Sequence, residues 1–209
     1  TVRAGDRKYL SLTYSTEAPA VAPPLGELAR DRIRRSEQWW RHWASRCAYQ
    51  GPYRAAVVRS ALALKLMTYA PSGAVIAAPT TSLPEKLGGT RNWDYRYCWL
   101  RDASFTLRAL FDLGYLEEGE AFLHWMLHAT RLSWPELQVL YDVFGADRLP
   151  ERQVPHLEGY AGSRPVRAGN DAYGQLQLDV YGEVIDAAAR FAHTGGRFDR
   201  DTAHMLAGL

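Results

Sequence analysis

The sequence predicts a mainly α-helical fold in which helices alternate with loops of unequal length. Three observations carry that expectation. Apolar residues recur at helical spacing, as in Val58, Leu62, Leu66 and Tyr69. Helix-stopping residues follow such runs at Pro71-Ser72-Gly73, Gly114 and Gly195-Gly196. Two long connections, 70–101 and 132–169, hold most of the prolines. Each precedes a helix, so both could lie at one end of a helical array. That layout matches an α-helical toroid whose loops build one pocket, since loops on a rigid scaffold usually carry function.

Residues 1–15 alternate weakly from Tyr9 to Tyr14 and read as one strand. A single strand is not stable alone, so its sheet is expected elsewhere. Pro19, Pro23, Pro24 and Gly26 mark a linker. Residues 27–46 read as a helix with one aromatic stripe (Trp39, Trp40, Trp43) and a basic outer face. The next helix runs from Tyr53 to about Tyr69, and Ala74–Ala78 is a short apolar piece leading into an irregular loop at 79–84. Further helices are expected from about Ala103 to Leu113 and from about Glu117 to Ala129, the latter with Phe122, Trp125 and Met126 on its apolar side. After the second long connection a helix starts near Asn170, a plausible N-cap. It continues through Leu176, Val180, Val184 and Ile185 to about Ala192, and another begins near Phe198.

The chain has 209 residues and 47% hydrophobic content, enough for one substantial core. A formal charge of +2 gives no electrostatic reason to expect nucleic acid or an anionic membrane. Arg30, Arg32, Arg34 and Arg35, beside Trp39 and Trp40, are read as a solvated helix face. Cys47 and Cys98 make no disulfide framework, which favours a reduced, cytoplasmic setting. No apolar run approaches the roughly 20 residues of a membrane span. The chain begins with Thr1 rather than Met and stops abruptly at Leu209, so it is expected to be a fragment of something larger. His124 and His128 are four apart on one helix face, but no third ligand accompanies them, and no metal site is expected. There is no glycine-rich phosphate loop, cysteine cluster or nucleophile elbow.

The most informative stretch is Arg91-Asn92-Trp93-Asp94-Tyr95-Arg96-Tyr97-Cys98-Trp99-Leu100-Arg101-Asp102, which sets four aromatics among arginines and aspartates at a helix entry. A pyranose ring stacks its C–H faces on indole or phenol, and its hydroxyls want carboxylate and guanidinium partners. The combination points to a sugar pocket. A blander reading stands beside it: Asp102 caps the following helix, Arg101 is its exposed neighbour, and the aromatics are core. Asp94 and Arg91 are candidates for a structural ion pair.

Four blocks together resemble glycoside hydrolase family 15, in its bacterial glucoamylase-like and trehalase branch. They are Ala77–Glu85, Arg91–Ser104, Gly162–Asn170 and Gln177–Glu183, and they occur in family order. The resemblance implies a β-sandwich whose last strand lies within residues 1–18, a linker with a helix over 19–49, and the first half of an (α/α)6 barrel over 50–209. It implies inverting hydrolysis of α-glucosidic bonds at a non-reducing end, by one carboxylic acid and one water-activating carboxylate. By the same resemblance Arg101 and Asp102 hold the terminal glucose, Tyr95 and Trp99 line its subsite, and Trp93 joins them with weaker support. Arg164, Arg167 and Asn170 border the outer subsite, with a capping Asn and solvated arginines as the alternative. Gln177, Asp179 and Glu183 are placed on one helix, where they either orient pocket groups or face outward. The family's general acid follows the block ending at Glu183 in a Trp-Glu pair, and its base lies further on. Neither has a counterpart before Leu209, so no catalytic residue is expected in this chain. No cofactor is implied, though some trehalases of this branch need phosphate or a divalent ion such as Mg2+. The expected partners are an α-glucoside and the remainder of the parent chain. A non-catalytic carbohydrate-binding or interaction module is the competing reading. Half a toroid would also leave helix faces without partners, so exposed apolar surface and self-association are expected.

Overall fold

The computed structural model describes residues 1–14, 16 and 26–209. The chain divides into two compact units, Thr1–Arg46 and Cys47–Leu209.

In the first unit the strand expected at Tyr9–Tyr14 is not formed. Leu10, Leu12 and Tyr14 are exposed, and residues 1–14 pair with no strand among the described residues. Alternation selects a strand only where a partner ladder completes its hydrogen bonds. The linker prolines Pro19, Pro23 and Pro24 lie outside the described residues. Helix α1 (Glu27–Ser45) carries the aromatic stripe, with Trp39 and Trp40 edge to face at 4.9 Å. Its arginines are partly neutralised within the helix by the pairs Arg30–Glu27, Arg34–Asp31 and Arg41–Glu37.

The second unit holds α2 (Arg54–Met67), α3 (Leu100–Asp112), α4 (Leu116–Ser133), α5 (Asp179–His193) and α6 (Arg200–Ala207). Two short antiparallel ladders tie its loops: β1 (Cys98–Trp99) with β2 (Leu140–Tyr141), and β3 (Arg152–Gln153) with β4 (Arg167–Ala168). The core is built where α3, α4 and α5 meet, around Leu107, Phe122, Met126, Val180 and Val184. Helices α3 and α5 run side by side in the same direction. Their first turns meet through Arg101 and Asp179, and their last turns flank one cleft between Asp112 and Arg190. After α3 the chain turns at Gly114, whose φ of 86° suits glycine, and α4 returns behind the pair. Parallel helices with an antiparallel return are the repeating layout of a helical toroid, and the unit is mainly α as such a portion requires.

Three element readings differ from the sequence expectation. Helix α3 starts at Leu100 rather than Ala103, because Leu100 N–H bonds Val139 O at 3.2 Å and Trp99 ends a ladder in extended backbone. The last long helix starts at Asp179, not near Asn170. Asn170 caps only a 3-10 turn (Asp171–Gly174), and at Gln175 the backbone leaves helical geometry. In α2 only Ala61 is fully buried; Val58, Leu62 and Tyr69 of the apolar spacing are half-buried and Leu66 is 64% exposed, so the stripe is only partly covered. That helix is anchored instead by Lys65, which pairs with Glu118 in the first turn of α4 at 3.2 Å with little solvent access.

Candidate functional site

Two loops, 77–97 and 163–177, face each other above the first turns of α3 and α5, and Asp94 is the knot between them. Its side chain is fully buried. It accepts Arg96 Nε at 2.8 Å and Nη2 at 2.7 Å, and Gly169 N–H at 3.2 Å. A carboxylate shut away from water needs this degree of pairing. Asp94 O in turn accepts Asn170 Nδ2 at 3.0 Å, while Asn170 Oδ1 accepts Ala172 N–H. Gly169 has φ +87°, and a Cβ there would run into the carbonyl of Pro150. Thr81 Oγ1 donates to Arg167 O at 2.6 Å, and Arg167 N–H donates to Ser82 Oγ at 2.7 Å. The loops are therefore stitched through backbone on both sides.

The ion pair read between Asp94 and Arg91 does not form. Asp94 takes Arg96, and Arg91 lies 3.2 Å from Glu85 on the surface. Arg96, two positions along, reaches the buried carboxylate with Nε and Nη2, the two donors of one guanidinium edge, while Arg91 is paired with Glu85.

Trp93, Tyr95, Trp99, Arg101, Asp102, Arg167 and Asn170 all line one cavity of 660 Å³. That volume lies within the ~300–1,000 Å³ of typical small-molecule sites. Tyr95 and Trp99 form an aromatic corner, with ring centres 5.7 Å apart and planes tilted by 50°. Arg167 stands 4.6 Å over the Trp93 ring. It donates to Glu151 Oε1 at 2.7 Å, Thr90 O at 2.9 Å and Asn92 O at 3.1 Å. With those partners and 11% side-chain exposure it braces the wall more than it offers donors. Asn170 likewise spends both ends of its amide inside the protein.

Arg101 and Asp102 differ in this respect. Asp102 makes no capping hydrogen bond, so the capping reading of its carboxylate does not hold. It is 58% exposed, and its carboxylate has only a loose 3.8 Å contact with Arg101 Nη2. Arg101 donates through Nη1 to Gln177 Oε1 at 2.7 Å and Asp179 Oδ2 at 2.9 Å. That bond holds the Asp179 carboxyl below the usual aspartate range. Glu183, one turn further into α5, is pushed up by burial and then by Asp186 and Asp179, but it does not line the cavity.

Glu151 and Gln175 also line the cavity and carry no local sequence signal. Glu151 is brought in by the β3–β4 ladder, and Gln175 by the 3-10 turn before α5. Arg164 is exposed and does not line it. His124 packs edge-on against Phe191, and among the described residues no three metal-ligating side chains converge.

The family model for glycosyl hydrolases family 15 matches residues 51–207. Similar curated proteins include a trehalase of Thermoplasma acidophilum, 44% identical over 79% of this chain and 28% of that protein. A trehalase of Mycolicibacterium smegmatis is 43% identical over 88% of this chain and 28% of that protein. Trehalase 1 of Sulfolobus acidocaldarius is 41% identical over 78% of this chain and 26% of that protein. The chain thus spans little more than a quarter of the length of these relatives. No solved structure matches it significantly.

Proposed function

Since the chain belongs to the glycosyl hydrolases family 15, we propose that it forms the glucose-binding side of the pocket of an α-glucoside hydrolase, with trehalose as the leading substrate. The observation that carries this reading is the pairing of Arg101 and Asp102 at the floor of the cavity, with uncommitted donors and acceptors beside the Tyr95–Trp99 corner. The carboxylate of Asp102 accepts from two sugar hydroxyls, the guanidinium donates to a third oxygen, and the rings cover the apolar sugar face. Trehalose leads because the similar curated proteins carry trehalase names, and α-1,4- and α-1,6-linked glucosides follow.

Inverting hydrolysis needs an acid and a base about 6.5–9.5 Å apart on opposite sides of the scissile bond. Of the acidic groups around this cavity, Asp179 and Glu151 are tied to arginines, Asp171 accepts the Glu151 backbone N–H at 3.0 Å, and Asp102 belongs to the sugar clamp. We assign both catalytic carboxylates to parts of the protein beyond these residues. In the same reading residues 1–18 end a β-sandwich, 19–49 link it, and 50–209 open an (α/α)6 barrel. Cys47 and Cys98 are buried and free, which favours a cytoplasmic setting. No helix among the described residues is long and apolar enough to cross a membrane.

The test is glucose release from trehalose, maltose and isomaltose by the full-length protein and its Asp102→Ala form, with and without phosphate and Mg2+. Release from trehalose, lost by several orders of magnitude in the variant, is the expected result. If no substrate is cleaved, or if Asp102→Ala is harmless, the reading fails and a non-catalytic binding module replaces it.

A further inference from the structure

We propose that Gln177 and Asp179 are positioning residues that lock the Arg101 guanidinium, so that it and Asp102 meet one glucosyl ring together. This rests on the glucose-clamp reading above. A guanidinium has five N–H donors in a rigid plane. The two on Nη1 are taken by Gln177 Oε1 and Asp179 Oδ2. The remaining three, on Nε and Nη2, make no hydrogen bond among the described residues. With two fixed acceptors on one nitrogen, the plane of the group has one orientation, and its free Nη2 edge lies on the Asp102 side.

The acceptors are themselves held. Gln177 Nε2 donates to Gln175 Oε1 at 3.0 Å, which orients its amide with the oxygen toward Arg101. Asp179 is the first residue of α5, and the burial of Val180 and Val184 fixes its backbone. A helix packed in the core thus sets the direction of a side chain in the cavity. The Arg101–Asp179 pair is itself partly exposed, at 37% and 45%. Pairs of that exposure add little to stability. What it supplies is order: an unrestrained arginine must be immobilised when the ligand arrives, and an arginine already held has less to lose.

The test is a double-mutant cycle in the full-length protein, read by tryptophan fluorescence during titration with D-glucose, with melting temperatures as a control. Asp179→Asn and Gln177→Met should each weaken glucose binding about threefold to tenfold, the ordering cost of one side chain. Each should add nothing on top of Arg101→Ala, since both act through Arg101. Asp179→Glu should recover part of the loss. Melting temperatures should stay close to that of the parent. Additive losses, or none in the single variants, overturn the positioning role while leaving the clamp intact. If Arg101→Ala itself binds glucose like the parent, the clamp reading fails and the inference falls with it. If one variant does not fold, the other completes the cycle.

Discussion

Asp94 and Asp102 belong to one stretch of loop and helix, yet their carboxylates meet opposite surroundings. Asp94 is fully buried, with both oxygens bonded to Arg96 and one to Gly169 N–H. Asp102 is largely exposed and holds only a loose contact to Arg101. The first should matter to stability and the second to binding. Asp94→Ala strands a buried backbone N–H and frees Arg96, so it should cost about 1–3 kcal/mol in denaturant unfolding. Asp102→Asn removes no strong bond from the protein, so its unfolding free energy should stay within about 0.5 kcal/mol of the parent. If Asp102→Asn instead unfolds the protein, its carboxylate is structural and the clamp loses its main argument.

At the scale of elements, the pocket depends on a turn and on two helix starts. Gly169 lies where β4 ends, at positive φ and against the carbonyl of Pro150, and its N–H reaches Asp94. Gly169→Ala should destabilise by about 1–3 kcal/mol through backbone strain alone and should loosen the wall carrying Arg167 and Asn170. A thermal melt and a glucose titration would read the two effects separately. Helix α5 carries a different cost. Burial and neighbouring aspartates raise the Glu183 carboxyl above the usual glutamate range. A raised folded-state pKa contributes stability that is complete below the unfolded value and is lost as pH rises through the folded one. Glu183→Gln should therefore raise the melting temperature slightly at pH 7 and flatten its decline as pH rises from the ordinary glutamate range through the raised one. A variant less stable than the parent at pH 7 would show that ionised Glu183 has a favourable partner.

For the whole molecule, Leu64, Met67 and Phe105 ring an open cleft between α2 and α3, and Leu66, Phe105 and Ile185 are exposed on their helices. Apolar faces of this kind are sites of association. The isolated 209-residue chain should show concentration-dependent sedimentation and bind a hydrophobic dye, and a strictly monomeric, dye-silent chain would contradict this. Much of the architecture was legible beforehand because its causes are local. Gly114 and Gly195 end helices through residues a few positions away, and the aromatic and charged stretch before α3 collects by sequence alone the groups that later line one cavity. The misreadings share one cause. Asn170 does cap, but only a 3-10 turn, because the backbone turns extended at Gln175 and the long helix waits until Asp179. Arg91 looks as good a partner for Asp94 as Arg96 until burial picks the nearer guanidinium. Residues 9–14 alternate like a strand without a ladder to join. By itself, then, the sequence determined where most helices stop and which aromatic and charged groups gather at one cavity, since spacing and turn chemistry act over a few residues. Only the tertiary structure decided which acid meets which arginine, and that Gln177 and Asp179 hold Arg101. A hydrogen bond is short-ranged and directional, and its two ends are brought within reach only when distant helices pack.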